Sequence, residues 1–246
     1  MSLNSELVTI NFGPQHPSMH GVFRLRVTLD GETIVDLEPV FGYLHRGTEK
    51  LAEERTYVQI VTLTDRLDYV ASMSNNLAYV SAVEKLCNIE VPKRASYIRV
   101  IVAELQRIAS HLMATGFLLN DLGAFGTPLM YCFREREKIL DLFEILCGAR
   151  ITLSYMRPGG IFQDTPQEFW SDLELFLESM PNQIDELESL ITGNEIVLSR
   201  TRDVGILTPE QVIDASLSGP MLRASRVKWD LRKANPYEIY DELDFD

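Results

Sequence analysis

Four histidines occur in the 246 residues, and two of them, His16 and His20, lie four apart in the loop GPQHPSMHG. Imidazole titrates near neutral pH, so this loop is the first place to look for proton chemistry. On a helix the spacing would suggest a shared metal ion. Pro17 stands between the two and removes the helix, so the spacing carries no ligand geometry. In TLTDRLDYVASM, Arg66, Asp68 and Tyr69 cluster, and a helix starting there would put Arg66 and Tyr69 on one face at i and i+3. The bland alternative is an acidic residue complementing a helix N-terminus, with Tyr69 half-buried. Asp121, in LLNDLGAFG, reads as a solvated turn aspartate. Held against a histidine, it would instead fix the imidazole tautomer and stabilise its cation. Glu104, Arg107 and His111 share one stripe of a helix and read as an internal salt-bridged face.

Whole classes of chemistry are disfavoured by composition and by missing motifs. A net charge of −13 disfavours nucleic acid and anionic lipid, both of which reward a basic face. Cys87, Cys132 and Cys147 form no CxxC pair, so neither a zinc knuckle nor a four-thiolate iron–sulfur site can be written from them. Their sparse, odd count suggests buried thiols in a reducing compartment. GxSxG, P-loop and GxGxxG motifs are absent. No apolar run has membrane-spanning length, and no basic-then-apolar leader opens the chain. The expectation is a cytoplasmic protein that meets a membrane only as a bound, peripheral subunit.

The elements that would position these residues follow from periodicity. Phe23, Leu25, Val27 and Leu29 alternate with polar residues, and Asp30-Gly31 then leads into Thr33 to Leu37, a hairpin signature. Val8, Ile10 and Phe12 suggest an earlier strand, so the histidine loop joins two strands. Ile98, Ile101, Val102, Leu105, Ile108 and Leu112 keep a helical period between Pro92 and a stop near Gly116. Further helices are expected over 131–147 and about 167–191, separated by the break Arg157-Pro158-Gly159-Gly160. The acidic end YEIYDELDFD reads as a surface strand or an unfinished element. The expected class is α+β: a small N-terminal antiparallel sheet over 1–43, then a mainly helical body over 44–246.

Taken together, GPQHPSMHG, GYLHRGTEK, LTDRLDY, VPKRASYIRVI, ASHL, FRERE, YMRPGG and SGPMLRAS resemble one family over nearly the whole chain. It is the quinone-site subunit of respiratory complex I, the 49 kDa subunit of NADH:quinone oxidoreductase. The scaffold also resembles the large subunit of nickel–iron hydrogenases. There an Arg-x-Cys-Gly-x-Cys motif supplies nickel ligands, and here Asp68 and Ala71 stand at the cysteine positions. A thiolate-bound nickel cannot form without them.

The resemblance implies a cavity for a quinone headgroup where hydrogenases keep their metal, with no metal held by this chain. His20 would hydrogen-bond one quinone carbonyl and Tyr69 the other, with Asp121 paired to His20. These three would be the catalytic set. Arg66 would face an iron–sulfur cluster held by a neighbouring subunit, while His16, His45 and His111 would play supporting roles. The implied partners are the other complex I subunits, including the cluster-bearing neighbour and the membrane arm. NAD would enter only indirectly, through the complex, and nucleic acid not at all. The setting would be the cytoplasmic side of the cell membrane, and the isolated chain would be inactive.

Two departures from the family pattern stand out. Thr152, in RITLSY, occupies a position where the family often has a cluster-facing histidine, and Arg226 follows LRAS where a glycine is usual. Family members also continue past the point where this chain stops, with a C-terminal part that helps close the cavity. Two competing readings are a relative of energy-converting hydrogenase large subunits and a non-catalytic scaffold that only docks neighbours.

Overall fold

The computed structural model describes residues 6–15, 22–124 and 126–245. It is an α+β protein with a small N-terminal sheet and a mostly helical body, and it divides into two compact units, 1–55 and 56–246.

In the first unit β1 (Val8–Phe12), β2 (Arg24–Asp30) and β3 (Thr33–Val40) form an antiparallel sheet in the order β1-β2-β3. The alternation in β2 turns Val27 inward, where it is fully buried, opposite Ile10 and Leu37. Gly31, at φ 62, supplies the left-handed backbone that the tight turn from Asp30 to Thr33 needs. The histidine loop leaves the end of β1, and both its histidines, His16 and His20, lie outside the described residues. A short helix, α1 (Thr48–Glu53), follows the sheet.

The second unit is built on four longer helices: α3 (Ser72–Cys87), α4 (Lys93–Asp121), α5 (Thr127–Cys147) and α6 (Gln167–Ile191). α4 packs on α3 and α5, and α5 packs on α6. Each buries a stripe at helical spacing: Met73, Leu77 and Val80; Ile98, Val102, Leu105, Ala109 and Leu112; Ile139, Phe143 and Leu146; Phe169, Leu173, Phe176 and Met180. The short helix α2 (Tyr57–Thr64) precedes them, and the two-stranded hairpin β4 (Met156–Arg157) and β5 (Gly160–Ile161) separates α5 from α6. Beyond α6 come four short helices, α7 (Glu195–Thr201), α8 (Pro209–Asp214), α9 (Gly219–Ala224) and α10 (Leu231–Ala234).

Three expectations are corrected. Gly116 does not stop α4, which runs on to Asp121. A Cβ at Gly116 would lie 3.0 Å from Leu129 Cδ1 and 3.3 Å from Cys132 Cβ, so the glycine marks the close approach of α4 and α5. The acidic C-terminal segment is no strand. It folds as a 3-10 turn, Tyr240–Glu242, that buries Ile239 and Tyr240 against Val100 of α4. Of the three thiols only Cys132 is fully buried; Cys147 is half-buried and Cys87 is exposed.

Candidate functional site

The helical hydrogen bonding of α2 ends at Asp65, whose N–H reaches Val61 O at 3.4 Å. The chain then runs through a non-helical turn to Ala71 before α3 begins at Ser72. Neither sequence reading of this stretch holds. Arg66 and Tyr69 do not share a helix face, and Tyr69 is 59% exposed. Asp68 builds the turn instead of complementing a helix N-terminus. Its Oδ1 accepts from Val70 N at 3.0 Å, and its carbonyl accepts from Ala71 N at 3.0 Å and Asn75 Nδ2 at 3.2 Å. Gln106, from α4, donates through Nε2 to Val70 O at 2.7 Å. The exposed Arg66 folds back so that its Nη1 donates to Thr62 O at 2.5 Å.

Beneath the turn lies Asp65, 1% exposed, whose Oδ1 accepts from Ser154 N at 3.1 Å. Burial pushes the Asp65 carboxyl above the usual carboxylate range. The Ser154 N–H, the Asn76 amide and the charges of Arg66 and Arg157 pull the other way. Asn76 is itself fully buried and donates to Thr64 Oγ1 at 3.0 Å and Val61 O at 3.3 Å. Ser154 and Thr152 both hold left-handed backbone, at φ 42 and φ 56.

The hairpin that follows is bolted to the helices by Arg99. This guanidinium, 0% exposed, donates to both oxygens of Glu84, to Glu238 Oε1, and to the carbonyls of Arg157 and Gly160. Glu84 Oε1 also accepts from Gly159 N at 2.7 Å. The YMRPGG stretch is thus a hairpin turn, as its Pro-Gly-Gly suggests, held in place by a buried ion pair.

The remaining candidates are spread more widely. Asp121 is the last residue of α4 and is exposed. A carboxylate at a helix C-terminus faces carbonyl dipoles, which disfavour its charge. The stripe on α4 divides: Glu104 pairs with Arg107 at 3.0 Å, while Arg232 at 3.2 Å and the Tyr240 hydroxyl join it from the C-terminal segment. His111 is exposed, two turns further on. Desolvation and the nearby charges of Arg107 and Arg223 lower its pKa, against a smaller pull from Glu104. In the first unit, His45 Nδ1 accepts from Gly47 N at 3.3 Å, a local turn contact. Among the described residues no group of three or more His, Cys, Asp or Glu side chains is placed to hold a metal ion. Among them, too, no helix is long and apolar enough to cross a membrane.

Residues 121–246 match the family model described as the 49 kDa subunit of respiratory-chain NADH dehydrogenase. The D subunit of an NADH-quinone oxidoreductase from Dehalococcoides mccartyi is 61% identical across all of this chain, which spans 67% of that relative. A D-subunit relative from Roseiflexus is 57% identical over 99% of the chain and 65% of the relative. Another, from Clostridium beijerinckii, is 56% identical over 99% of the chain and 65% of the relative. The chain belongs to this family.

Thr152 and Arg226 both fall on unusual backbone. Arg226 sits at φ 68, just past α9, with its N–H on Arg223 O at 3.0 Å and the Val227 N–H on Leu222 O at 3.3 Å. That is the left-handed helix end for which glycine is the ordinary residue, kept here without one. Thr152, also left-handed, donates its hydroxyl to Ile151 O at 2.6 Å.

Sequence reading passed over Asp65, Asn76, Arg99 and Gln106. A signal for two of them was present. Arg99 and Gln106 lie seven apart on the stripe of α4 that also carries Val102 and Ala109, and a polar side chain on a buried stripe needs a buried partner.

Proposed function

We propose that this chain forms the quinone-headgroup site of a proton-translocating NADH:quinone oxidoreductase. In this reading it is a subunit of the peripheral arm on the cytoplasmic side of the membrane. Electrons come from an iron–sulfur cluster held by a neighbouring subunit and facing Arg66; NAD acts elsewhere in the complex. The helical body is related to hydrogenase large subunits, with a quinone received where those enzymes hold nickel.

The observation that carries the reading is the presentation of Tyr69. Its side chain stands exposed on a turn pinned to buried scaffold at both ends, by Asp65 and by Gln106 at Val70. Asp68, at a position where the hydrogenase motif has a metal-binding cysteine, is engaged with the turn's own backbone. Two electrons delivered to a quinone build negative charge on both its oxygens, and fixed donors aimed at those oxygens stabilise that charge best where water is scarce. The Tyr69 hydroxyl serves one oxygen and His20 the other, each as hydrogen-bond donor and then proton donor. Asp121 holds the His20 imidazole in its protonated form.

The test uses the assembled complex. Tyr69→Phe and His20→Ala are expected to abolish quinone reduction while the cluster is still reduced by the upstream donor. Normal quinone turnover in both variants would falsify the reading.

A further inference from the structure

We propose that Asp65 is the positioning residue of this site: its buried carboxylate fixes the turn that presents Arg66 and Tyr69 by tying it to the backbone at Ser154. The inference rests on the quinone reading above.

Three energetic costs converge on this one link. A carboxylate that is 1% exposed has been taken out of water, and its Oδ2 is buried with no hydrogen-bond partner, while only Oδ1 is used. An unsatisfied buried acceptor of this kind bears its desolvation penalty with no bond to offset it. Its partner Ser154 holds left-handed backbone without being glycine, and so does Thr152 two residues earlier. Such residues persist only where their surroundings over-determine them, and they gather at functional sites. The bond joins segments 89 residues apart in sequence.

The position of the link explains what it does. Asp65 opens the turn and Val70 closes it, and the second end is held by Gln106. Arg66 and Tyr69 lie between these two pins. Releasing the first pin leaves the turn hinged at Val70, so both side chains shift together. A displacement near 1 Å is enough to spoil alignment with a bound substrate. Four of the five buried side-chain atoms without a partner among the described residues belong to Asp65, Ser72, Asn76 and Gln106. Those residues open the turn, begin α3 after it, or pack against it. A polar network left incomplete around one turn is poorly suited to stability alone.

The experiment compares Asp65→Ala and Asp65→Asn in the assembled oxidoreductase. It measures KM and kcat for a short-chain quinone beside the rate to an artificial acceptor that takes electrons upstream. A merely structural loss lowers the amount of assembled complex, and both rates with it, and leaves KM alone. A positioning role raises KM for quinone by roughly five-fold or more in Asp65→Ala while the upstream rate per complex stays put. Asparagine keeps an oxygen for the Ser154 N–H, so Asp65→Asn is expected to return KM to within about two-fold of the parent. An unchanged KM in Asp65→Ala overturns the proposal, as does a failure of asparagine to restore it. If Asp65→Ala does not assemble, Asp65→Glu displaces the same carboxylate by one methylene; a parental KM there overturns the proposal equally. Tyr69→Phe, run in parallel, separates the two claims. Normal turnover in it and in His20→Ala together would sink the quinone reading, whereas impairment of Tyr69→Phe with a parental KM in the Asp65 variants sinks only the positioning role.

Discussion

Arg99 Nη2 lies 2.6 Å from Glu84 Oε1 in a pair whose side chains are 0% and 8% exposed, and the same guanidinium holds Glu238 at 2.8 Å. Through one side chain the hairpin, α3, α4 and the C-terminal segment share an anchor. Arg99→Met removes the cation and strands two buried carboxylates. Breaking one partner of a buried pair costs about 3–5 kcal/mol, so urea unfolding of Arg99→Met should show a loss of that size. Converting Glu84 as well, in Arg99→Met with Glu84→Gln, should recover part of it because one stranded charge is gone. A loss no greater in the single than in the double variant would contradict the account.

Arg226 occupies left-handed backbone at φ 68, where its Cβ crowds the chain. Its side chain is exposed, so burial does not offset that strain. Restoring the residue this helix end ordinarily takes, Arg226→Gly, should stabilise the folded chain by about 0.5–1 kcal/mol after the added flexibility of the unfolded state is counted. The midpoint of thermal unfolding is the direct readout. A lowered midpoint would mean that the guanidinium makes a contribution the backbone argument omits.

Asp230 should mark the acid limb of stability. The Arg232 guanidinium, bonded to both its oxygens, holds the carboxyl down at about 2, against a smaller opposing effect of burial. Because the folded value lies below the unfolded one, the stabilisation is fully present above the unfolded pKa. It is lost as pH falls through about 2. The pair is partly exposed, so screening limits its worth to about 1 kcal/mol. Comparing Asp230→Asn with the parent by denaturant titration should show that difference near neutral pH and none at the acid end.

Local pattern carried the fold as far as local pattern decides it. The stripe Phe169, Leu173, Phe176, Met180, continued by Ile184, Leu187 and Ile191, gave α6 its limits, and Asp30-Gly31 gave the β2–β3 hairpin. Where a distant contact decides, sequence reading fails. The burial of Tyr240 depends on Val100 of α4, so its segment read as an open surface element. In the candidate site Tyr69 and Arg66 were legible by residue type, but their turn was not, because its anchor at Ser154 lies far along the chain. His16 and His20 lie outside the described residues, so they were legible only as part of their motif.

Gly116 tests the packing of α4 on α5 most directly. A glycine inside an exposed helix costs about 1 kcal/mol relative to alanine, so the position would favour alanine if propensity ruled. Crowding opposes that gain, since an added Cβ meets Leu129 Cδ1 at 3.0 Å, Cys132 Cβ at 3.3 Å and the Leu129 backbone at 3.4 Å. The leucine methyl can swing aside, whereas the backbone and the Cβ of Cys132 cannot without moving α5. Gly116→Ala should therefore fall within about 1 kcal/mol of the parent, the two effects nearly cancelling. Gly116→Val adds two methyls where there is no room and should lose about 2–3 kcal/mol. Thiol labelling gives a second readout: Cys132 is 1% exposed, and prising the helices apart should speed its modification in the valine variant. Parental stability together with parental labelling of Cys132 in Gly116→Val would show that the helices are not held at the separation this glycine permits.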